Sequence, residues 1–213
     1  MKHLTHNQTN ILKDVDKLIH DQYSQESSGH DYDHIKRVVN LTTRLLIEEA
    51  NPFVTYLIAY FHEVLDDKLE SKYDTLESLL ASYDLDLEGY ELEVIKGIES
   101  IGFKGGFTST DKSIEAQIVS DADTLDAMGA IGIGRAFYYA GSKGLPFHQE
   151  ELVGVTADNY EEYRNKKRNI MTHFDEKLLI LKDYLYTIKG KEIGLGRHKT
   201  LLEFYKSFHN ELA

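Results

Sequence analysis

Four potential metal ligands or acid–base groups lie close together in the stretch "AYFHEVLDDKL": His62, Glu63, Asp66 and Asp67. If a helix continues through them, His62 lies beside Asp66 and Glu63 beside Asp67, because residues four apart share a helix face. They follow the apolar run "FVTYLIAYF", where an unpaired charge is costly to bury. A helix that simply emerges into water and becomes charged is the alternative. On this stretch alone, both interpretations stay open.

A second stretch, "GHDYDHIKRVV", places His30, Asp33, His34 and Arg37 at the start of a predicted helix. One interpretation makes Asp31 or Asp33 the helix N-cap and His34 a surface residue. The other follows from the apolar stripe that begins directly after His34. This stripe puts His34 near the core boundary, where it could face the histidine of the first stretch across a helix pair.

A third stretch, "IVSDADTLDAMGAIGIGRAF", sets Asp121, Asp123 and Asp126 among small and apolar residues. Carboxylates in such surroundings indicate a functional site more than a solubilising surface. Two histidines and two carboxylates from three helices suit a divalent ion such as Mn²⁺, Fe²⁺, Co²⁺, Ni²⁺, Zn²⁺ or Mg²⁺. With open coordination positions, the ion would lower the pKa of a bound water and polarise a phosphoryl oxygen, which predicts hydrolysis.

The elements that must position these groups are predicted to be helices. Only two prolines occur, and apolar residues recur at intervals of three and four, so the fold class is all-α. The third helix begins at the N-cap Asn51 and Pro52, continues to about Val64, and is apolar nearly all round, which predicts the buried centre of a bundle. The other predicted helices cover 10–20, 33–50, a short segment after Asp74, 91–100, 111–140 and two or three segments from 156, with a glycine-rich joint at "KGKEIGLG".

Composition narrows the function classes. The 213 residues carry a formal net charge of −12, which would repel nucleic-acid backbones, so nucleic acid is not an expected partner. An anionic small molecule could still bind where a metal and local Lys or Arg reverse the sign. The absence of cysteine excludes thiolate zinc sites and a cysteine nucleophile. Neither a membrane span nor a secretory signal is recognised, which predicts a cytoplasmic protein and no membrane partner.

In this order the motifs resemble the HD-domain superfamily of metal-dependent phosphohydrolases, in its bacterial nucleotide pyrophosphatase-like branch. The chain has "GHDYDHIKRV", "FHEVLDDK", "GFKGG", "DADTLDAMGAIGIGR" and "HFDEKLLILKDYLYTIKGKEIGLGRH", which together span most of its length. The resemblance implies an HD-domain helical bundle in a single domain, 1–213. Its core motifs would lie within 29–140, and the C-terminal helices 156–211 would complete the pocket.

By this resemblance one divalent ion is expected to be held by His34, His62, Glu63 and Asp123. Asp121 stays open as an alternative to Asp123, which is favoured because "ADxL" is the recurring part of the motif. Glu63 departs from the superfamily, which normally has aspartate there. The extra methylene moves the carboxylate outward, so a catalytically silent nucleotide- or metal-sensing protein stays open as an alternative.

The acidic pair Asp66 and Asp67 resembles the residues thought to orient or deprotonate the attacking water in guanosine-tetraphosphate hydrolases of the superfamily. Asp66 is favoured as the base. Candidate ligands for phosphate oxygens are Arg37, Lys68, Lys104, Arg135, His173 and Lys177, with Arg197 nearby in the C-terminal motif. The implied substrate is a nucleotide or related phosphate ester or anhydride, with a nucleoside triphosphate pyrophosphatase as the specific expectation. The oligomeric state is left open, a homodimer being one option.

Overall fold

Apolar residues spaced three and four apart give the chain a series of amphipathic helices. The computed structural model describes residues 3–26, 30–64, 73, 75–102, 111–148, 161 and 169–212, and no strand occurs among them. Their helices are α1 (His6–Tyr23), α2 (Tyr32–Leu45), α3 (Pro52–Phe61), α4 (Leu76–Ser82), α5 (Glu91–Ser100), α6 (Ile114–Asp126), α7 (Gly129–Ser142), α8 (Ile170–His173) and α9 (Ile188–Leu212), with a π-helical turn at Phe174–Leu178 and a 3₁₀ turn at Leu181–Tyr184. The predicted all-α class is confirmed.

The chain groups into two compact units, and the boundary between them falls inside helix α6. Unit 1 comprises Met1–Ile101 and Ser109–Ala122, and unit 2 comprises Gly102–Thr108 and Asp123–Ala213. Helix α6 itself is continuous across the boundary. The predicted extent of one domain over 1–213, with its core motifs in 29–140 and helices 156–211 completing a pocket, stays a prediction.

Helix α3 is the centre of unit 1, as its sequence predicts. The Asn51 side chain accepts a hydrogen bond from the Phe53 N–H, and Pro52 occupies the first turn, where its missing N–H costs nothing. Helices α1, α2 and α5 all pack against α3. Against α5 the approach is close: a Cβ on Gly97 would lie 2.4 Å from Ile58 Cδ1. Such packing holds the C-terminal end of α3 in a fixed place.

In unit 2, helices α7 and α9 pack through an aromatic cluster. The Phe137 ring meets the Phe204 ring edge-on at 5.7 Å between centroids and the Phe147 ring at 5.5 Å. Phe174, fully buried, stacks on Phe204 at 5.5 Å. These edge-to-face and stacked arrangements are the favourable geometries for aromatic pairs.

Helix α3 ends earlier than predicted, at Phe61 rather than about Val64. The His62 Nδ1 lies 2.8 Å from the Ala59 carbonyl oxygen, which in a continuing helix would accept from the N–H of residue 63. The Val64 N–H instead donates to the Phe61 carbonyl in a tight turn. The prediction that α3 continues to about Val64 is therefore wrong. The predicted neighbours of His62 and Glu63, Asp66 and Asp67, lie outside the described residues, so their stacking stays a prediction.

The predicted helix 111–140 is also wrong, because the chain forms two helices, α6 and α7. Met128 is extended, with φ −115° and ψ 162°, and Gly129 has φ +70°, a conformation that residues other than glycine rarely adopt. Periodicity alone could not reveal this break, because apolar residues continue on both sides of it.

The predicted joint at "KGKEIGLG" is also wrong: here the sequence predicted a break, but α9 is continuous through this segment. Gly194 is buried, and a Cβ there would lie 2.3 Å from Leu185 Cδ1. This glycine serves close packing rather than flexibility.

Two helix boundaries in unit 1 also differ. Helix α1 begins at His6, because Thr5 and Gln8 form a capping box ahead of it. Helix α2 ends at Leu45, because the ψ of 135° at Leu46 lies outside the helical range.

Across the described part of the chain, helices with the length and apolarity of a membrane span are absent. The cytoplasmic location stays a prediction.

Candidate metal centre

His34 is held in the first turn of helix α2. Asp31 caps this helix, and its side chain accepts a hydrogen bond from the His34 N–H at 2.8 Å. The His34 side chain is fully buried. The interpretation of His34 as a surface residue is therefore wrong, whereas Asp31 is the N-cap as one interpretation had it.

His62 directly follows helix α3 and is nearly buried. Its Nδ1 lies 2.8 Å from the Ala59 carbonyl oxygen, and since a carbonyl can only accept, Nδ1 carries the proton. In the neutral ring, Nε2 is then unprotonated and carries a lone pair. This nitrogen lies 3.2 Å from His34 Nε2. A backbone carbonyl that fixes the tautomer in this way is typical of metal-binding histidines.

Glu63 brings a buried carboxylate to the two imidazoles. Its Oε1 lies 3.0 Å from His34 Nε2 and 3.5 Å from His62 Nε2. The extra methylene relative to aspartate therefore does not keep the carboxylate away from the histidines. Its Oε2 is buried without a hydrogen-bond partner among the described residues. Burying such an oxygen costs about 1–3 kcal/mol or more, a cost that a bound cation would offset.

Glu63 is also negatively charged at neutral pH. Burial raises the pKa of this carboxyl group, whereas hydrogen bonds from His30 and His34 and the nearby imidazoles lower it, and the resulting pKa lies well below its usual range. An ionised oxygen ligand is therefore available without a proton having to leave.

Asp123 joins the histidines from helix α6. Ligand atoms of His34, His62 and Asp123 lie within 4.8 Å of one another. Asp121, two residues earlier on the same helix and fully buried, points about 200° away around the axis. Between the two aspartates left open by the sequence, the geometry thus favours Asp123.

The spacing of the three nearest ligand atoms fits a divalent ion. Adjacent ligands at about 2.1 Å from an octahedral ion lie about 3.0 Å apart, and the separations among His34 Nε2, His62 Nε2 and Glu63 Oε1 are 3.0, 3.2 and 3.5 Å. Nitrogen and oxygen donors of this kind accept Mn²⁺, Fe²⁺, Co²⁺, Ni²⁺ or Zn²⁺, and the set leaves the ion's identity open.

His30 belongs to this cluster, although the sequence-based ligand set omits it. Its Nδ1 lies 2.9 Å from Glu63 Oε1, and ligand atoms of His30, His34 and Glu63 lie within 4.8 Å of one another. The available signal was its position four residues before His34. That spacing suggested nothing specific, because His30 precedes the helix and so shares no helical face with His34.

Four of the predicted site residues lie outside the described part of the chain: Asp66, Asp67, Lys68 and Lys104. Their predicted roles stay predictions.

The remaining basic candidates are spread over three elements. Arg37 lies one turn beyond His34 on α2, while His173 ends α8 and Lys177 lies in the following π-helical turn. Arg135, on α7, forms an ion pair of 2.9 Å with the buried Asp126. Arg197, on α9, donates to the Leu125 carbonyl. The last two therefore stabilise the end of α6, and phosphate binding by Arg37, Arg135, His173 or Lys177 stays a prediction.

Comparison with known proteins finds similarity over nearly the whole chain. Residues 31–128 match the family model of the HD domain. The uncharacterized protein YpgQ of Bacillus subtilis is 35% identical over 198 residues, which cover 89% of this chain and 87% of YpgQ.

Solved structures agree with this similarity. A Lactobacillus plantarum protein superposes with a TM-score of 0.86 at 29% identity, covering 99% of both chains. Crystalline YpgQ in complex with ADP gives a TM-score of 0.72 at 26% identity, covering 96% of both chains. An HD-superfamily hydrolase from Bacillus thuringiensis gives 0.68 at 29% identity, covering 96% of this chain and 98% of its own.

Proposed function

Because this chain belongs to the HD-domain metal-dependent phosphohydrolase superfamily, in the branch that includes YpgQ, we propose that it hydrolyses a nucleotide or a related phosphate ester or anhydride with the help of one divalent metal ion. The narrower proposal is a nucleoside triphosphate pyrophosphatase, which releases pyrophosphate. The binding of ADP by YpgQ supports a nucleotide as the ligand of this chain too.

The convergence of ligand atoms from helix α2, the turn after helix α3 and helix α6 is the observation that carries the proposal. The ion would be held by His34, His62, Glu63 and Asp123, whose nitrogen and oxygen donors suit it. When bound, it supplies Lewis acidity, which lowers the pKa of a water and polarises a phosphoryl oxygen. Sequence-distant residues are brought together here at the cost of burying a carboxylate, which a purely structural bundle has no need to do.

The protein side chains would orient the substrate and move the proton. We assign proton transfer from the attacking water to Asp66, with Asp67 as the alternative. Basic side chains would bind phosphate oxygens and offset the negative charge that develops at phosphorus. This role is proposed for Arg37, Lys68, Lys104, Arg135, His173 and Lys177. Arg135 could bind a phosphate oxygen while it stays bonded to Asp126, since the guanidinium has five N–H donors.

Hydrolysis of a nucleotide panel by Mn²⁺-loaded protein tests the proposal. We expect release of pyrophosphate or phosphate from at least one nucleotide, and loss of this activity in His62→Ala. The matched control is His6→Ala, which removes an exposed histidine of α1 and should leave activity unchanged. Equal activity of His62→Ala and the native protein would contradict the proposed mechanism.

The catalytically silent sensing protein is the second candidate, because of the glutamate at position 63. The reach of Glu63 Oε1 to both histidines favours a working site instead. Glu63→Asp separates the two: a modest change in activity supports the working site. A large gain from near-zero activity would support the silent site.

A further inference from the structure

Glu63 Oε1 accepts two hydrogen bonds, and only one of them can persist when a cation binds. One comes from His34 Nε2 at 3.0 Å, and the other from His30 Nδ1 at 2.9 Å. A carboxylate only accepts, so each ring nitrogen must carry a proton to make its bond. A histidine that ligates a metal does so through an unprotonated nitrogen. His34 Nε2 therefore cannot bind a cation and donate to Glu63 at the same time.

His30 can keep its bond to Glu63. The residue precedes the N-cap of α2, and its backbone N–H donates to Glu26 Oε2 at 3.2 Å, which helps to fix the start of the segment. Its side chain is 19% exposed, whereas that of His34 is fully buried between Glu63 and His62. His30 thus approaches the carboxylate from the outer side of the cluster.

Glutamate makes such support necessary. Its side chain has one more rotatable bond than aspartate, so more conformations must be excluded to hold the carboxylate beside the histidines. We infer that His30 is a positioning residue, which donates Nδ1–H to Glu63 Oε1 and so holds this longer carboxylate toward the cation. The inference rests on the metal centre of the proposed function but not on the reaction that the centre performs.

Metal affinity in a double-mutant cycle tests the inference without any turnover. The dissociation constant of Mn²⁺ is measured by calorimetric titration for the native protein, His30→Ala, Glu63→Ala and the double variant. Loss of a hydrogen-bond partner to a metal ligand weakens binding about 10–100-fold, which is the change expected for His30→Ala. In the Glu63→Ala background the same substitution should change the constant less than about twofold, because His30 acts only through Glu63.

Conservative and matched variants complete the experiment. His30→Asn places an amide N–H near the position of Nδ1 and should recover most of the affinity, while His6→Ala should bind Mn²⁺ like the native protein. His30→Leu, which fills the space without a donor, replaces His30→Ala if that variant does not fold. Native affinity in His30→Ala or His30→Leu would overturn the inference. An equal loss in both backgrounds would overturn it too, since His30 would then contact the cation itself.

The outcome is separable from that of the proposed function. A coupled cycle in a protein that hydrolyses no nucleotide supports the role of His30 and refutes the nucleotide hydrolase. An active enzyme whose His30→Ala variant binds Mn²⁺ normally refutes only the role of His30.

Discussion

Glu63 links the residue types seen in the sequence to the chemistry of the site. Its ionised carboxylate lies against the imidazoles of His30, His34 and His62, and the Ala59 carbonyl fixes the tautomer of His62. Motif order predicted His34, His62 and Glu63 as ligands, and the structure brings these three side chains together. Motif order could not predict the carbonyl partner or His30, because both depend on where the backbone turns after α3.

Substitution of Asp123 and of Asp121, both on α6, should affect Mn²⁺ affinity differently. Asp123→Asn replaces a carboxylate near His34 and His62 by an amide, and we expect Mn²⁺ binding to weaken about tenfold or more. Asp121→Asn, on a different face of α6, should leave Mn²⁺ affinity nearly unchanged. Calorimetric titration of both variants checks this. The opposite ranking would make Asp121 the ligand.

At the scale of elements, the sequence predicted the helices that carry the site but not where they break. Apolar periodicity and the Asn51–Pro52 start identified α3 as the buried centre. The break between α6 and α7 depends on the positive φ of Gly129, whereas Gly194 lies inside the continuous helix α9 and leaves room for Leu185. Both are tertiary effects, which a local pattern does not contain.

The tight turn between α6 and α7 gives a stability prediction. A Cβ on Gly132 would lie 2.2 Å from the Ala127 carbonyl oxygen, a backbone atom that cannot move aside cheaply. Gly132→Ala should therefore lower the free energy of unfolding by about 1–3 kcal/mol. Gly134→Ala, two residues on with open space around it, should be neutral or raise it by about 1 kcal/mol. Denaturant unfolding measures both, and similar values would contradict the described turn.

A polar cluster joins helices α1, α2 and α3. Lys36 Nζ forms an ion pair of 2.8 Å with Asp16, and it lies 5.7 Å from the ring centroids of Tyr32 and Tyr60. The Tyr32 hydroxyl donates to Asp16. Burial, and then the negative charge of Asp16, raise the pKa of Tyr60 to about 12.

This raised pKa predicts a loss of stability in alkali. An unfolded tyrosine ionises near pH 10, whereas folded Tyr60 keeps its proton to about pH 12. The contribution of Tyr60 to the free energy of unfolding is complete below pH 10. It declines as the pH rises toward 12, because the tyrosine of the unfolded chain releases its proton first. Tyr60→Phe should flatten the fall of the melting temperature between about pH 9 and 11.5. Tyr138→Phe, at an exposed position, should not. Parallel curves for Tyr60→Phe and the native protein would exclude this role.

At the scale of the whole molecule, the negative charge and the metal centre are complementary. A chain with a formal net charge of −12 attracts a divalent cation and repels an anionic nucleotide. A bound cation would reverse the local sign where the nucleotide phosphates must lie. It would also stabilise the folded state, because the unfolded chain does not hold the candidate ligands together.

Anomalous diffraction from crystals grown with Mn²⁺ tests the central claim most directly. We expect one peak at about 2.0–2.3 Å from nitrogen atoms of His34 and His62 and from carboxylate oxygens of Glu63 and Asp123. A peak bound to other residues, or His34 and Asp123 too far apart to contact one ion, would contradict the account.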